Sequence, residues 1–187
     1  SGMGVEDGGK LENNNLITGN GTLVLGMASL NGNGAINTLI NNGRIELSGN
    51  EISGIEGSGE ILNNGIIHLI AEPKGDYHDI VGMDIWEANA VNGENGKIII
   101  ENKNNNYSDG VYIDEDGGKF TNKGLIEIVG GYGAGIDTGY VPYENGTLHP
   151  EWQKEAVAVN EKGGVITVIG TNTEISNKDR KSTRLNS

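Results

Sequence analysis

The chain has 187 residues, a formal net charge of −13 and no cysteine. Its 32 glycines and 25 asparagines make up about three residues in ten, yet aliphatic residues recur in short alternating runs; neither a disordered chain nor a helix-rich enzyme has that pattern. The acid excess excludes partners that select basic patches, nucleic acid and anionic membranes among them, and the missing thiol excludes disulfides and thiolate metal sites.

At the amino terminus, Ser1-Gly2 ahead of Met3 reads as a cleavage scar, and residues 1–12 as a scar and lead-in. Residues 13–178 read as one repeat domain. Six glycines precede alternating aliphatic runs: Gly21, Gly43, Gly65, Gly96, Gly124 and Gly164. Their gaps of 22, 22, 31, 28 and 40 fit a minimal unit of 22 residues with insertions, the self-similarity of a solenoid. Two positions after each glycine stand Leu23, Ile45, Ile67, Ile98, Ile126 and Ile166; four positions after stand Leu25, Leu47, Leu69, Ile100, Ile128 and Val168. Strand side chains alternate faces, so these two sets predict two inward aliphatic ladders. Arg44, Glu46, His68, Lys97, Glu127 and Thr167, between them, are expected to face solvent. Asn20, Asn42, Asn64 and Asn95 directly precede the first four glycines and predict an asparagine ladder at the turn that ends where Lys123 and Gly163 replace Asn.

A second strand follows at Gly54-Ile55, Gly82 to Ile85, Gly110 to Ile113 and Gly135 to Asp137. A third follows at Gly59 to Leu62, Gly118 to Thr121 and Ala156 to Val159. The sequence therefore predicts an all-β fold, a right-handed parallel β-helix of about six coils with three short strands per coil. No apolar run approaches a membrane span; the longest, Ile66 to Ala71, is broken by His68.

Insertions are expected near 71–81, 101–109 and 131–155, and loops are where function collects on such scaffolds. Asp109, Asp114 and Asp116, with Glu115, form an oxygen-rich stretch that is a calcium candidate, although its spacing matches neither an EF-hand nor the nonapeptide calcium repeat; a solvated acidic turn is the simpler reading. Asp76-Tyr77-His78-Asp79 with Asp84, Trp86 and Glu87 is a candidate for glycosidic acid–base chemistry. The alternative there is that Met83 and Ile85 point inward while Asp84 and Glu87 are solvated. Tyr140, Tyr143, His149 and Trp152, with Tyr132, in the longest insertion are ligand-binding candidates, since aromatic faces with hydrogen-bonding groups suit sugar or protein recognition. Equally, they pin the insertion to the wall. His68, at the row height of Glu46 and Glu127, is expected to pair with a neighbouring carboxylate rather than bind metal. No catalytic residue and no cofactor is assigned.

Residues 179–187, Asp179 to Ser187, resemble the in-frame translation of a sequencing adapter, which would place the end of the natural sequence at about Lys178 and its source in a truncated, metagenomic read. The pattern Asn-Asn-Gly-x-Ile-x-Leu, carried by Asn63 to Leu69, with Gly110 to Ile113 and Asn122 to Gly130, resembles the passenger repeats of fusobacterial-type autotransporter adhesins. The resemblance spans roughly residues 13–178. It implies a bacterial surface or secreted location within a longer exported chain, a non-catalytic adhesive role, and partners on host-cell or bacterial surfaces, protein or glycan. It carries over no catalytic residue. The runner-up is a carbohydrate-binding or carbohydrate-active β-helix protein, lyase- or hydrolase-like; a structural fibre is the third option. Open solenoid ends also predict end-to-end self-association.

Overall fold

The computed structural model describes residues 2–30, 35–72, 79–104, 107–114, 116–139, 143–144, 147–148 and 154–170. The described residues hold strands and no helix. In chain order the strands are β1 (Met3–Glu6), β2 (Lys10–Asn13), β3 (Leu16–Leu30), β4 (Thr38–Asn41), β5 (Arg44–Asn63), β6 (Ile66–Ala71), β7 (Asp79–Asn92) and β8 (Lys97–Asn102). They continue as β9 (Tyr107–Ile113), β10 (Gly118–Asn122), β11 (Leu125–Val129), β12 (Tyr132–Thr138), β13 (Tyr143–Glu144), β14 (Thr147–Leu148), β15 (Ala156–Asn160) and β16 (Val165–Ile169). All but the antiparallel pair β13–β14 join one parallel sheet.

The pairings wind this sheet into three faces. The first stacks the start of β3, the start of β5, then β6, β8, β11 and β16. The second stacks β1, the end of β3, the middle of β5, the start of β7, β9 and β12. The third stacks β2, β4, the end of β5, the end of β7, β10 and β15. This is the predicted β-solenoid with three strands per coil. Four turns run through in full, over 16–41, 44–63, 66–92 and 97–122. A fifth, over 125–160, is interrupted between its second and third faces, and partial turns stand at both ends. The regular stack is therefore about four turns rather than the six that the glycine spacing predicts, because that spacing counts broken and partial turns as whole ones.

The first face confirms most of the aliphatic ladders and corrects one rung. Ile45, Ile67, Ile98 and Ile126 are fully buried, as are Leu69, Ile100 and Ile128, with Leu47 nearly so. Ile45, however, stacks on Ile17, and Leu47 on Gly19. The expected members Leu23 and Leu25 belong to the second face, and Leu23 is 72% exposed. The first repeat is 28 residues long, with Asn15 in the place of the leading glycine. Val24 fills the space beside side-chain-less Gly19.

On the second face, Gly26, Gly54, Gly82, Gly110 and Gly135 fall in register, and the isoleucines of the first face press against them. A Cβ on Gly82 would strike Ile98 Cγ2 and the Gly110 carbonyl; one on Gly110 would strike Ile126 Cγ2 and the Gly135 carbonyl. Close approach of two faces, rather than an unusual turn, selects glycine here. On the third face the inward column runs Leu11, Leu39, Ile61, Ala90, Phe120 and Ala158. Phe120, the single phenylalanine, is 1% exposed and lies between two alanines, so neighbouring rungs compensate its volume.

The corner from the third face back to the first carries the asparagine ladder, but on Asn41, Asn63 and Asn92 in place of the predicted Asn42, Asn64 and Asn95, and on Asn13 rather than Asn20. Asn13, Asn41, Asn63, Asn92, Asn122 and Asn160 each stand two residues after an inward third-face side chain. Each Nδ2 donates to the next Oδ1 at 2.8 Å, through to Asn160. The column thus continues past Lys123 instead of ending there. Asn42 and Asn64 form a second, exposed row, in which Asn42 donates to Asn14 at 3.0 Å and Asn64 to Asn42 at 3.4 Å. Asn20 donates instead to Ser48 Oγ at 2.6 Å. Insertions avoid this corner, which never exceeds four residues; the longer connections, from Leu30 to Thr38, Ala71 to Asp79 and Thr138 to Ala156, fall at the other two.

Candidate functional site

With the interior given over to ladders, chemistry is confined to outward positions and corners. The outer surface of the second face is acidic and aromatic. Glu56, Asp84, Tyr112 and Asp137 occupy one outward row on successive rungs. Beside them the rings of Tyr107 and Tyr132 meet edge to face, with centroids 5.4 Å apart. The Tyr107 hydroxyl donates to Asp137 Oδ2 at 2.7 Å. Asp109 is only 2% exposed and accepts the Ala134 N–H at 3.0 Å. Burial pushes the Glu56 carboxyl above its usual range; the Glu51 charge adds to this and a Ser53 hydrogen bond opposes it. Such a surface offers hydrogen-bond acceptors beside flat apolar rings.

A shallow groove of about 500 Å³ runs along the corner between the second and third faces, with Ile36, Glu60, Glu87, Asn89, Lys119 and Glu155 on its walls. Here β5 and β7 shift register after Gly57, and the extra residue places Glu87 at a φ of 47°. A non-glycine residue in this left-handed region carries strain of order 1 kcal/mol. The Glu87 N–H donates to the Gly117 carbonyl at 2.7 Å, which holds the bulge against the next rung. Asn89 Nδ2 donates to Glu60 Oε2 at 2.9 Å. Lys154 bonds Glu87 and lies 3.2 Å from Asp116, and these carboxylates raise its pKa. The returning end of the longest insertion is thereby fastened to two rungs, with the Gly118 N–H donating to the Glu155 carbonyl at 3.0 Å.

The structure separates the three calcium candidates. Asp109 lies within β9 on the second face; Asp114 follows that strand, its N–H bonded to the Ile85 carbonyl at 2.9 Å; Asp116 is exposed and faces Lys154. Among the described residues no group of three or more His, Cys, Asp or Glu side chains gathers as a metal site. Met83 and Ile85 are fully buried, as expected, and Glu87 is exposed. The segment Asp76 to His78 lies outside the described residues, as do Glu115, Tyr140, His149 and Trp152. Tyr143 belongs to β13, paired with Leu148 of β14. Tyr132, placed in the insertion by the sequence, instead opens β12 of the second face and is 55% exposed. His68 does pair with a carboxylate, but that of Glu101 on the next rung, at 3.0 Å, rather than Glu46 or Glu127. Arg44 bonds Glu46 on the far side of the ring, and Lys103 is 3.8 Å from Glu101, so five charged or titratable groups cross the first face.

Sequence reasoning did not single out Tyr112, Glu60, Lys119 or Lys154. Strand parity marks Tyr112 as outward between buried Val111 and Ile113; no local signal marks Lys154, whose partners come from other turns.

Compared with protein-family models, curated proteins and solved structures, the chain has no match in any of the three.

Proposed function

We propose that this chain is a structural and adhesive segment of a bacterial surface or secreted β-helix protein, akin to an autotransporter passenger and non-catalytic. The unbroken asparagine column supports this reading most: Asn13 to Asn160 repeat one interaction over the described stack, the economy of a stalk. Variety is confined to outward rows and corners, which suits display of a binding surface on a rigid rod. The partner is then a protein or glycan of a host-cell or bacterial surface, met outside the cell by part of a longer exported chain.

The test is adhesion. Beads coated with the protein should bind cultured epithelial or bacterial cells more than albumin-coated beads do, and soluble protein should compete. Equal binding of the two bead types would refute the reading. The groove walled by Glu60, Glu87, Lys119 and Glu155 favours a second reading, a carbohydrate-active β-helix protein. Appearance of new reducing ends in a polysaccharide panel incubated with the protein, lost on Glu87→Gln, would select it.

A further inference from the structure

The groove at the corner between the second and third faces has a floor of bare backbone. Gly59, Ala88 and Gly118 stand in register on three successive rungs, and the Ala88 methyl packs into the core, so no side chain rises from the floor. Two rung spacings give it a length of about 10 Å. One residue further on, the exposed side chains of Glu60, Asn89 and Lys119 line the third-face wall; Glu87 and Glu155 line the other. The β7 bulge sets Glu87 there at a φ of 47°, and bulges and strained non-glycine residues gather at ligand sites. Lys119 and Glu155 have neither an ion pair nor a side-chain hydrogen bond among the described residues. Unmatched donors and acceptors therefore stand side by side. An added strand would need free backbone groups, but the N–H groups of Glu60, Glu87 and Gly118 already donate to the carbonyls of Asn37, Gly117 and Glu155. A polyanion would meet Glu60, Glu87 and Glu155 against only Lys119 and the Lys154 that neutralises Glu87. An uncharged hydroxyl both donates and accepts, so it satisfies Lys119 and the carboxylates alike.

We propose that this groove binds an uncharged glycan, laid along the solenoid axis across β5, β7 and β10. The C–H faces of the sugar rings rest on the backbone floor, and Ile36, 67% exposed, gives an apolar contact beside it. Glu60 and Glu155 accept from sugar hydroxyls and Lys119 donates to them. The proposal rests on the adhesive reading and names its ligand as a neutral oligosaccharide chain rather than a protein or an acidic polysaccharide.

The test applies the full chain, fluorescently labelled, to a printed array of neutral, sialylated, sulfated and uronate-containing glycans. Neutral glycans should dominate the bound set. The best of them, titrated by calorimetry, should bind Lys119→Ala and Glu155→Gln about tenfold more weakly than the parent, the loss of one charge-assisted hydrogen bond in each. Both side chains are exposed and unpaired among the described residues, so the two variants should melt where the parent does. Lys97→Ala, on the first face, should bind as the parent does. Binding confined to acidic glycans, no binding at all, or neutral binding undiminished in both groove variants would each overturn the proposal. Bead adhesion separates it from the reading beneath it. Coated beads that adhere but are not displaced by the best neutral glycan overturn the groove and leave the adhesive reading. Glycan binding by a protein whose beads do not adhere overturns that reading and leaves the groove.

Discussion

Asn63 is fully buried, accepts from Asn41 and donates to Asn92, both at 2.8 Å. Asn63→Ala orphans a donor on one rung and an acceptor on the other, and is expected to cost about 2–4 kcal/mol in denaturant unfolding. Asn63→Asp keeps the shape but, ionised, has no proton for Asn92. Burial would raise its folded-state pKa above the unfolded value, so the folded state holds that proton more tightly and stability rises as pH falls. Asn63→Asp should therefore be less stable than Asn63→Ala at pH 7 and regain stability in unfolding curves taken toward about pH 4. Glu56 obeys the same sign. Its folded pKa is raised, chiefly by burial, so ionisation destabilises the fold above the carboxylate range and has no effect below both pKa values. Glu56→Gln should raise the melting temperature at pH 7, a gain that thermal melts at about pH 3 should no longer show.

Strands pack here by exchanging volume between rungs. Phe120 on β10 sits over Ala90 on β7 and under Ala158 on β15. Ala90→Leu is expected to overpack by about 1–3 kcal/mol, and Phe120→Ala to lose about 3–5 kcal/mol. Combined, they should cost less than their sum, because the leucine enters the space the ring vacates; strict additivity in a double-mutant cycle would contradict this packing. The same dependence on neighbours explains what the sequence conceals. Alternation makes the strands and their inward parity legible, and five of the six rungs of the first face follow from it. Gly21-x-Leu23-x-Leu25 imitates the motif locally, but register belongs to pairing between coils, and coils of 28 and 22 residues stack equally well. The ladder asparagines hide for a similar reason. Asn41-Asn42 and Asn63-Asn64 offer two candidates each, and only continuing the third strand's parity, from Leu39 to Asn41 and Ile61 to Asn63, tells which side chain enters. The outer surfaces were less legible still, since Lys154 meets Glu87 across 67 residues.

Over the whole molecule each rung contacts its neighbours above and below, so stability approximates a sum of nearest-neighbour terms. Amides of Ile98 and Ile100, with rungs on both sides, should exchange slowest with deuterium, and those of β1 and β16 fastest; hydrogen-exchange mass spectrometry at low concentration reads this gradient, and uniform protection would contradict it. The one-way asparagine column has an electrical consequence. Each side-chain amide resembles a peptide unit, whose dipole is about 3.5 D, and the members of the column point the same way. Parallel dipoles in a dry channel polarise one another and add. The column thus carries an axial dipole, its partial positive end toward Asn160 and its negative end toward Asn13, in a chain of net charge −13. In an applied electric field it should orient as a polar rod, its two ends electrically distinct.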